Sequence, residues 1–149
     1  MINSELIVLD SDLEKKEDII SFLGKKAFDS GYTTDLNQYI VAVEKREKEF
    51  STAVGYGISI PHGKSEAVRE AFIAFMRSRN PILWDEEENK TVKLIFLIGV
   101  PENKKDTLHL KILAQISKKL MDESFRENLL RATRDEILEL LGEIEKNIK

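Results

Sequence analysis

The spacing of apolar residues changes twice along the chain, from helical to strand-like and back, and divides it into three parts. Near the start, Ile7-Val8-Leu9 is a short apolar run that suits a small strand. Ser11-Asp12-Leu13-Glu14 reads as a capping box, in which the hydroxyl and the carboxylate satisfy orphan amides at a helix start. The helix it opens carries Leu13, Ile19, Ile20, Leu23, Ala27 and Phe28 on roughly one stripe and stops before Gly31. A second helix starts near Thr34-Asp35 and buries Leu36, Tyr39 (or Ile40) and Val43. It ends in Glu44-Lys45-Arg46-Glu47-Lys48-Glu49, a charged run whose default reading is a solvated face.

In the middle third, Val54 to Ile60 sets two glycines among β-branched residues and reads as a strand or strand-like loop. Ala71 to Met76 is a second strand, and Thr91 to Val100 is the strongest, a nearly continuous apolar run of the kind covered on both faces. Between them, Asn80-Pro81 and the acidic Asp85–Glu88 cluster read as a loop around Trp84. Helical spacing returns with Leu110, Leu113, Ala114, Ser117, Leu120 and Met121 within Leu108 to Met121. Two further capping boxes follow, Ser124-Phe125-Arg126-Glu127 and Thr133-Arg134-Asp135-Glu136, and the last helix carries Ile137, Leu140, Leu141, Ile144 and Ile148. The order β-α-α-β-β-β-α-α-α predicts an α+β fold. It would be a three-layer αβα sandwich with a mixed sheet of four to five strands and helices on both faces.

Composition narrows the function more than the fold. A length of 149 residues without repeat or linker is expected to form one domain, residues 1–149. The absence of cysteine removes disulfides, thiol catalysis and thiolate metal sites. With 23 Lys and Arg against 27 Asp and Glu, the net charge of −4 argues against a nucleic-acid partner. No basic region leads into an apolar signal segment, and the run from Val92 to Val100 is far too short to span a bilayer. The expectation is a cytoplasmic protein without direct membrane insertion.

The chain has two histidines. His62 follows Pro61 and precedes Gly63 at the end of a strand-like segment, a way to fix one imidazole at a rim with little crowding. His109 sits in the first turn of a helix, just after Asp106-Thr107, where backbone amides favour an anion. Considered alone, His62 reads as a turn residue and His109 as a surface histidine near a cap. A metal-dependent hydrolase using both histidines finds no H-E-x-x-H or H-x-H spacing, and serine chemistry finds no G-x-S-x-G elbow. There is no G-x-x-x-x-G-K-[ST] loop and no G-x-G-x-x-G fingerprint, so a phosphoryl group would have to arrive on another molecule.

The residues from Arg46-Glu47 through Ser51-Thr52-Ala53-Val54-Gly55-Tyr56-Gly57-Ile58-Ser59-Ile60-Pro61-His62-Gly63-Lys64 carry a resemblance across essentially the whole chain. Pro81-Ile82-x-Trp84, the strand Leu94 to Ile98, Pro101 and His109-Leu110-x-x-Leu113-Ala114 add to it. The pattern resembles the enzyme IIA component, fructose/mannitol type, of the bacterial phosphoenolpyruvate-dependent sugar phosphotransferase system. The resemblance implies that His62 is the phosphorylated residue, a tele-phosphohistidine intermediate. It implies that His109 is a second active-site histidine and Arg46 an arginine beside the phosphoryl group. It also implies phospho-HPr as donor and enzyme IIB as acceptor. Enzyme IIB would then phosphorylate a sugar imported by membrane enzyme IIC, with no metal and no dissociable cofactor. A nitrogen-type regulatory branch shares the phosphohistidine and controls binding to kinases or transporters. Ala53, Tyr56 and Ser59 depart from the residues most common at those positions, none of them a proposed phosphoryl ligand.

The chemistry suits those residue types. Imidazole with a pKa near ~6.5 is largely an unprotonated nucleophile at neutral pH, and its phosphoramidate stays transferable. A guanidinium at Arg46 bonds two phosphate oxygens at once, and His109 adds a donor at the favourable end of a helix dipole. Thr52 and Ser51 are candidate hydroxyl donors. Gly55, Gly57 and Gly63 are expected to thin the surface for a partner. Phe50, Val54, Tyr56 and Ile58 would mix core and rim, with Val54 and Ile58 read as buried.

Overall fold

A computed structural model describes residues 1–103 and 107–148. A 3₁₀ turn, Ser4–Leu6, leads into β1 (Ile7–Ser11), followed by α1 (Lys16–Asp29) and α2 (Leu36–Glu49). Five strands come next: β2 (Ala53–Gly55), β3 (Ile58–Ser59), β4 (His62–Ser65), β5 (Phe72–Asp85) and β6 (Lys90–Pro101). The chain closes with α3 (Leu108–Leu120), α4 (Glu123–Arg131) and α5 (Arg134–Ile148). The sandwich expected from the pattern is present, with six strands rather than four to five. None of the described helices is long and apolar enough to cross a membrane.

The sheet runs β1-β5-β6-β3-β2, with β4 also on β6. Alternation along its two longest strands supplies both layers of core. Phe72, Ala74 and Met76 of β5, with Ile95 and Leu97 of β6, pack under α1 and α2 beside Ile19, Ile20, Leu23, Tyr39 and Val43. Ile73, Phe75, Leu94, Phe96 and Ile98 face the other way, onto Ile112, Ile116, Leu129, Ile137 and Leu141 of α3 to α5. Cover on both faces is why these strands are almost unbroken apolar runs.

β3 and β4 are two pieces of one line along β6. Ile58 pairs with Leu94 and Ser59 with Ile95, then His62 with Ile98 and Gly63 with Gly99, all parallel and in unchanged register. The break falls at Ile60-Pro61. Proline has no N–H for the ladder, while the Ile60 N–H, on the opposite side of the strand, donates to the carbonyl of Thr52, 3.0 Å away, and extends the pairing with β2. The ladder resumes as Ile98 N–H donates to the Pro61 carbonyl at 3.0 Å.

Four local expectations change. The Ser11–Glu14 capping box is unused: Ser11 pairs with Ser78 in the sheet and accepts only the Leu13 N–H, so α1 begins later, at Lys16. Ser124 is not the cap of α4, because Asp122 accepts the Ser124 N–H at 2.9 Å and takes that place first. The segment from Asn80 to Trp84 is strand, not loop. β5 carries it through a register shift between Arg77 and Ile82 that accommodates Pro81, and Trp84 is 1% exposed. The Thr133–Glu136 box does form, each residue accepting the other's backbone N–H. In α3 the buried stripe is Ile112, Ile116 and Leu120, while Leu110 and Met121 stand exposed.

Candidate functional site

The break at Pro61 places His62 at the first position of β4, half-buried at the sheet edge beside β6. Behind it, Gly63 is buried rather than open to a partner. A Cβ there would lie 2.8 Å from Val43 Cγ2 and 3.2 Å from Tyr39 Cε1, so the missing side chain lets α2 close on the strand. The Tyr39 hydroxyl secures that approach by donating to the Ile98 carbonyl at 2.8 Å. Gly55 and Gly57 serve another purpose. With Tyr56 they occupy the positive-φ region, as the tight turn joining β2 to β3 requires.

The His62 Nδ1 lies 3.0 Å from the carbonyl oxygen of Ile60. A carbonyl can only accept, so this contact selects the tautomer with its proton on Nδ1 and leaves the lone pair on Nε2. Burial pushes the His62 pKa below 6.5, the Ile60 carbonyl acts in the opposite direction, and the charges of Arg46 and His109 lower it further. Glu47 works against them. The neutral ring is therefore the resting form at pH 7.

An NMR titration of the His62 ring will have its midpoint below 6.5, the value from which the site displaces it. Because the folded value is depressed, the unfolded chain takes up this proton first as pH falls. The associated stability is complete above about pH 6.5 and is lost as pH drops through the folded pKa. A midpoint at or above 6.5 would mean that burial and the charges of Arg46 and His109 do not govern the ring.

Arg46 arrives from the last turn of α2. Its Nη1 donates to the Phe50 carbonyl at 2.8 Å, which folds the guanidinium back over the electronegative end of the helix. His109 is the second residue of α3, within its first turn and two residues beyond the cap Thr107; Asp106 lies outside the described residues. Arg46 and His109, expected from the sequence to flank His62, both act on its ring electrostatically. Thr52 is also nearby in the chain's path but buried, and its hydroxyl donates to Glu47 Oε1. The Ser51 hydroxyl accepts the Ala53 N–H at 3.2 Å.

Glu47 is the residue the charge pattern concealed. It belongs to the run read as a solvated face, yet it is 7% exposed. Its carboxylate accepts from the Thr52 N–H and hydroxyl and from Trp84 Nε1 at 3.3 Å, with Lys16 Nζ 3.8 Å away. The signal was its spacing: Tyr39, Val43 and Glu47 follow one another at i+4 on the buried stripe. Around the rim, Phe50, Val54 and Tyr56 are exposed and Ile58 is buried, so Val54 is the one of the pair read as core that instead faces outward. The Arg126 guanidinium lies 3.9 Å from the Tyr56 ring centre and docks the hairpin tip on α4.

A half-buried neutral imidazole with one nitrogen held and its partner nitrogen nucleophilic, within the electrostatic influence of a guanidinium and a second imidazole, is suited to carrying an electrophilic anion such as a phosphoryl group. The chain is 40% identical over 141 residues to the PTS system fructose-specific EIIA component of Haloferax volcanii, covering 94% of this chain and 91% of that protein. Among solved structures it resembles the nitrogen regulatory protein IIA-Ntr of Neisseria meningitidis, with TM-score 0.83, 32% identity, and 93% and 94% of the two chains covered. It also resembles enzyme IIA mannitol from Escherichia coli, solved in complex with phosphorylated enzyme IIB mannitol. There the TM-score is 0.80 and the identity 29%, with 95% of this chain and 97% of that one covered. Residues 1–144 match the family described as phosphoenolpyruvate-dependent sugar phosphotransferase system, EIIA 2, and the chain belongs to that family.

Proposed function

We propose that residues 1–149 act in the cytoplasm as one phosphoryl-relay domain, taking a phosphoryl group from phospho-HPr onto His62 Nε2 and passing it to an enzyme IIB. The observation that carries this reading is the Nδ1 contact with the Ile60 carbonyl, which presents Nε2 as the nucleophile. Its lone pair forms the new N–P bond as the bond to the donor breaks, and the proton stays on Nδ1 throughout. The group in flight is loose and metaphosphate-like, so positioning and charge do most of the work. Arg46 and His109 meet the charge on the phosphate oxygens. Thr52, its hydroxyl engaged by Glu47, supports the site from behind. The second half reverses the first, with a nucleophile on enzyme IIB attacking phosphorus and His62 leaving as a neutral ring. Enzyme IIB would then serve sugar import through membrane enzyme IIC.

The likeness to IIA-Ntr favours a second reading, in which the phosphorylated state gates contacts with kinases or transporters and no enzyme IIB accepts the group. A panel of enzyme IIB proteins mixed with the labelled chain separates them. Label that moves to an enzyme IIB within seconds to minutes supports the relay. Label that stays on this chain with every acceptor overturns the relay and supports the regulatory reading.

A further inference from the structure

We propose that Glu47 is a positioning residue for phosphoryl transfer, setting His62 through a hydrogen-bonded chain that runs across Thr52 and Ile60, and holding the segment on which Arg46 rests. The connections are continuous. Glu47 accepts the Thr52 N–H at 3.2 Å and the Thr52 hydroxyl; the Thr52 carbonyl accepts the Ile60 N–H at 3.0 Å; the Ile60 carbonyl faces His62 Nδ1 at 3.0 Å. On the other side, the Phe50 carbonyl that receives Arg46 Nη1 lies two residues before Thr52. One carboxylate thus pins the loop that supplies partners to both the nucleophile and the guanidinium.

Glu47 also reaches beyond that loop. Trp84 Nε1 on β5 donates to it and Lys16, in the first turn of α1, lies beside it, so the pinning point is fixed to the sheet and to a second helix. A carboxylate 7% exposed bears a desolvation cost, and replacing such groups by apolar ones of similar size is often neutral or stabilising. Stability alone is therefore a weak reason for a carboxylate here. Geometry is a stronger one. The Ile60 carbonyl must face Nδ1 to leave the lone pair on Nε2, and the backbone carrying it is anchored at Thr52.

The proposal rests on phosphoryl transfer at His62, and the test separates the two. Glu47→Gln keeps the shape, can still accept from Thr52 Oγ1 and Trp84, but turns one oxygen into an NH₂ that opposes the Thr52 N–H. NMR of the unphosphorylated ring should show His62 losing its preference for the Nδ1–H tautomer. Its pKa should fall further, because the charge of Glu47 that opposes Arg46 and His109 is gone. The maximal rate of phosphorylation by phospho-HPr should drop by about 10–100-fold, the scale expected of small misplacements in a site, with the half-saturating HPr concentration little changed. Thr52→Val should reproduce the loss and Thr52→Ser restore it, which keeps the test available if Glu47→Gln folds poorly. Glu47→Gln keeps the hydroxyl link and Thr52→Val keeps the N–H link, so the combined variant, which loses both, should be slower than either single variant. A melting temperature that falls while tautomer and rate stay put overturns the proposal. A wild-type chain that takes no label from phospho-HPr overturns the relay instead, and the tautomer measurement still decides the role of Glu47.

Discussion

Replacing His62 with alanine will abolish labelling of the chain by phosphoenolpyruvate, enzyme I and HPr. A methyl group has no lone pair to attack phosphorus, and the arginine beside it never loses its proton under physiological conditions. The only other imidazole in the chain is His109, which makes the substitution discriminating: any label that persists can be sought on that ring first. The fold should survive, because the change removes one contact with the Ile60 carbonyl at a half-buried position, worth about 0.5–1.5 kcal/mol. Circular dichroism and a thermal melt check that point independently. In the wild type the label should be lost in acid and retained in alkali, as a phosphoramidate requires. Undiminished labelling of His62→Ala would move the nucleophile elsewhere and take the roles proposed for Arg46 and His109 with it.

The parts of this molecule that were legible in its sequence are those decided by one local rule. The apolar run from Thr91 to Val100 could only be a strand covered on both faces, and Thr133 with Glu136 formed the box their spacing announced. Where two rules compete, tertiary context chooses. Ser11 is a good helix cap, but pairing with Ser78 keeps it in the sheet. Asn80-Pro81 signals a turn, but a bulge in β5 absorbs the proline and lets Trp84 reach the core. In α3, Leu110 and Ile112 both begin plausible stripes, and only the position of the sheet selects the one through Ile112.

The site divides in the same way. His62, His109 and Arg46 stand out as candidates because their residue types sit in a recognisable motif, and both Arg46 and His109 lower the pKa of the His62 ring. Glu47 was hidden because five charged neighbours make its segment look solvated. Its environment is built from Lys16, Thr52 and Trp84, which lie up to 37 residues away. No local pattern reports a partner that distant. The break at Pro61 is intermediate: the proline was read as restricting the chain before His62, but the bond from the Ile60 N–H to Thr52 depends on where the hairpin returns.

The second large effect is expected at Arg46. Arg46→Ala should slow phosphorylation by about 10²–10³-fold, the usual cost of removing one preorganised donor from a developing charge. A loss of nucleophile could not explain a fall of that size. Arg46 lowers the His62 pKa, so its removal raises the midpoint toward 6.5; even there, roughly three-quarters of the ring would remain neutral at pH 7. The variant should therefore show two changes of opposite implication, a pKa displaced upward by NMR and a rate reduced far more than protonation accounts for. Arg46→Lys separates charge from shape. An ammonium keeps the positive charge but has no planar fork with which to hold the Phe50 carbonyl and two phosphate oxygens together. Its pKa effect on His62 should stay close to that of the wild type while its rate stays nearer that of Arg46→Ala. If Arg46→Lys transfers as fast as the wild type, the guanidinium acts only as a local charge, and clamping of the phosphoryl group must be assigned to His109 and to donors brought by the partner protein.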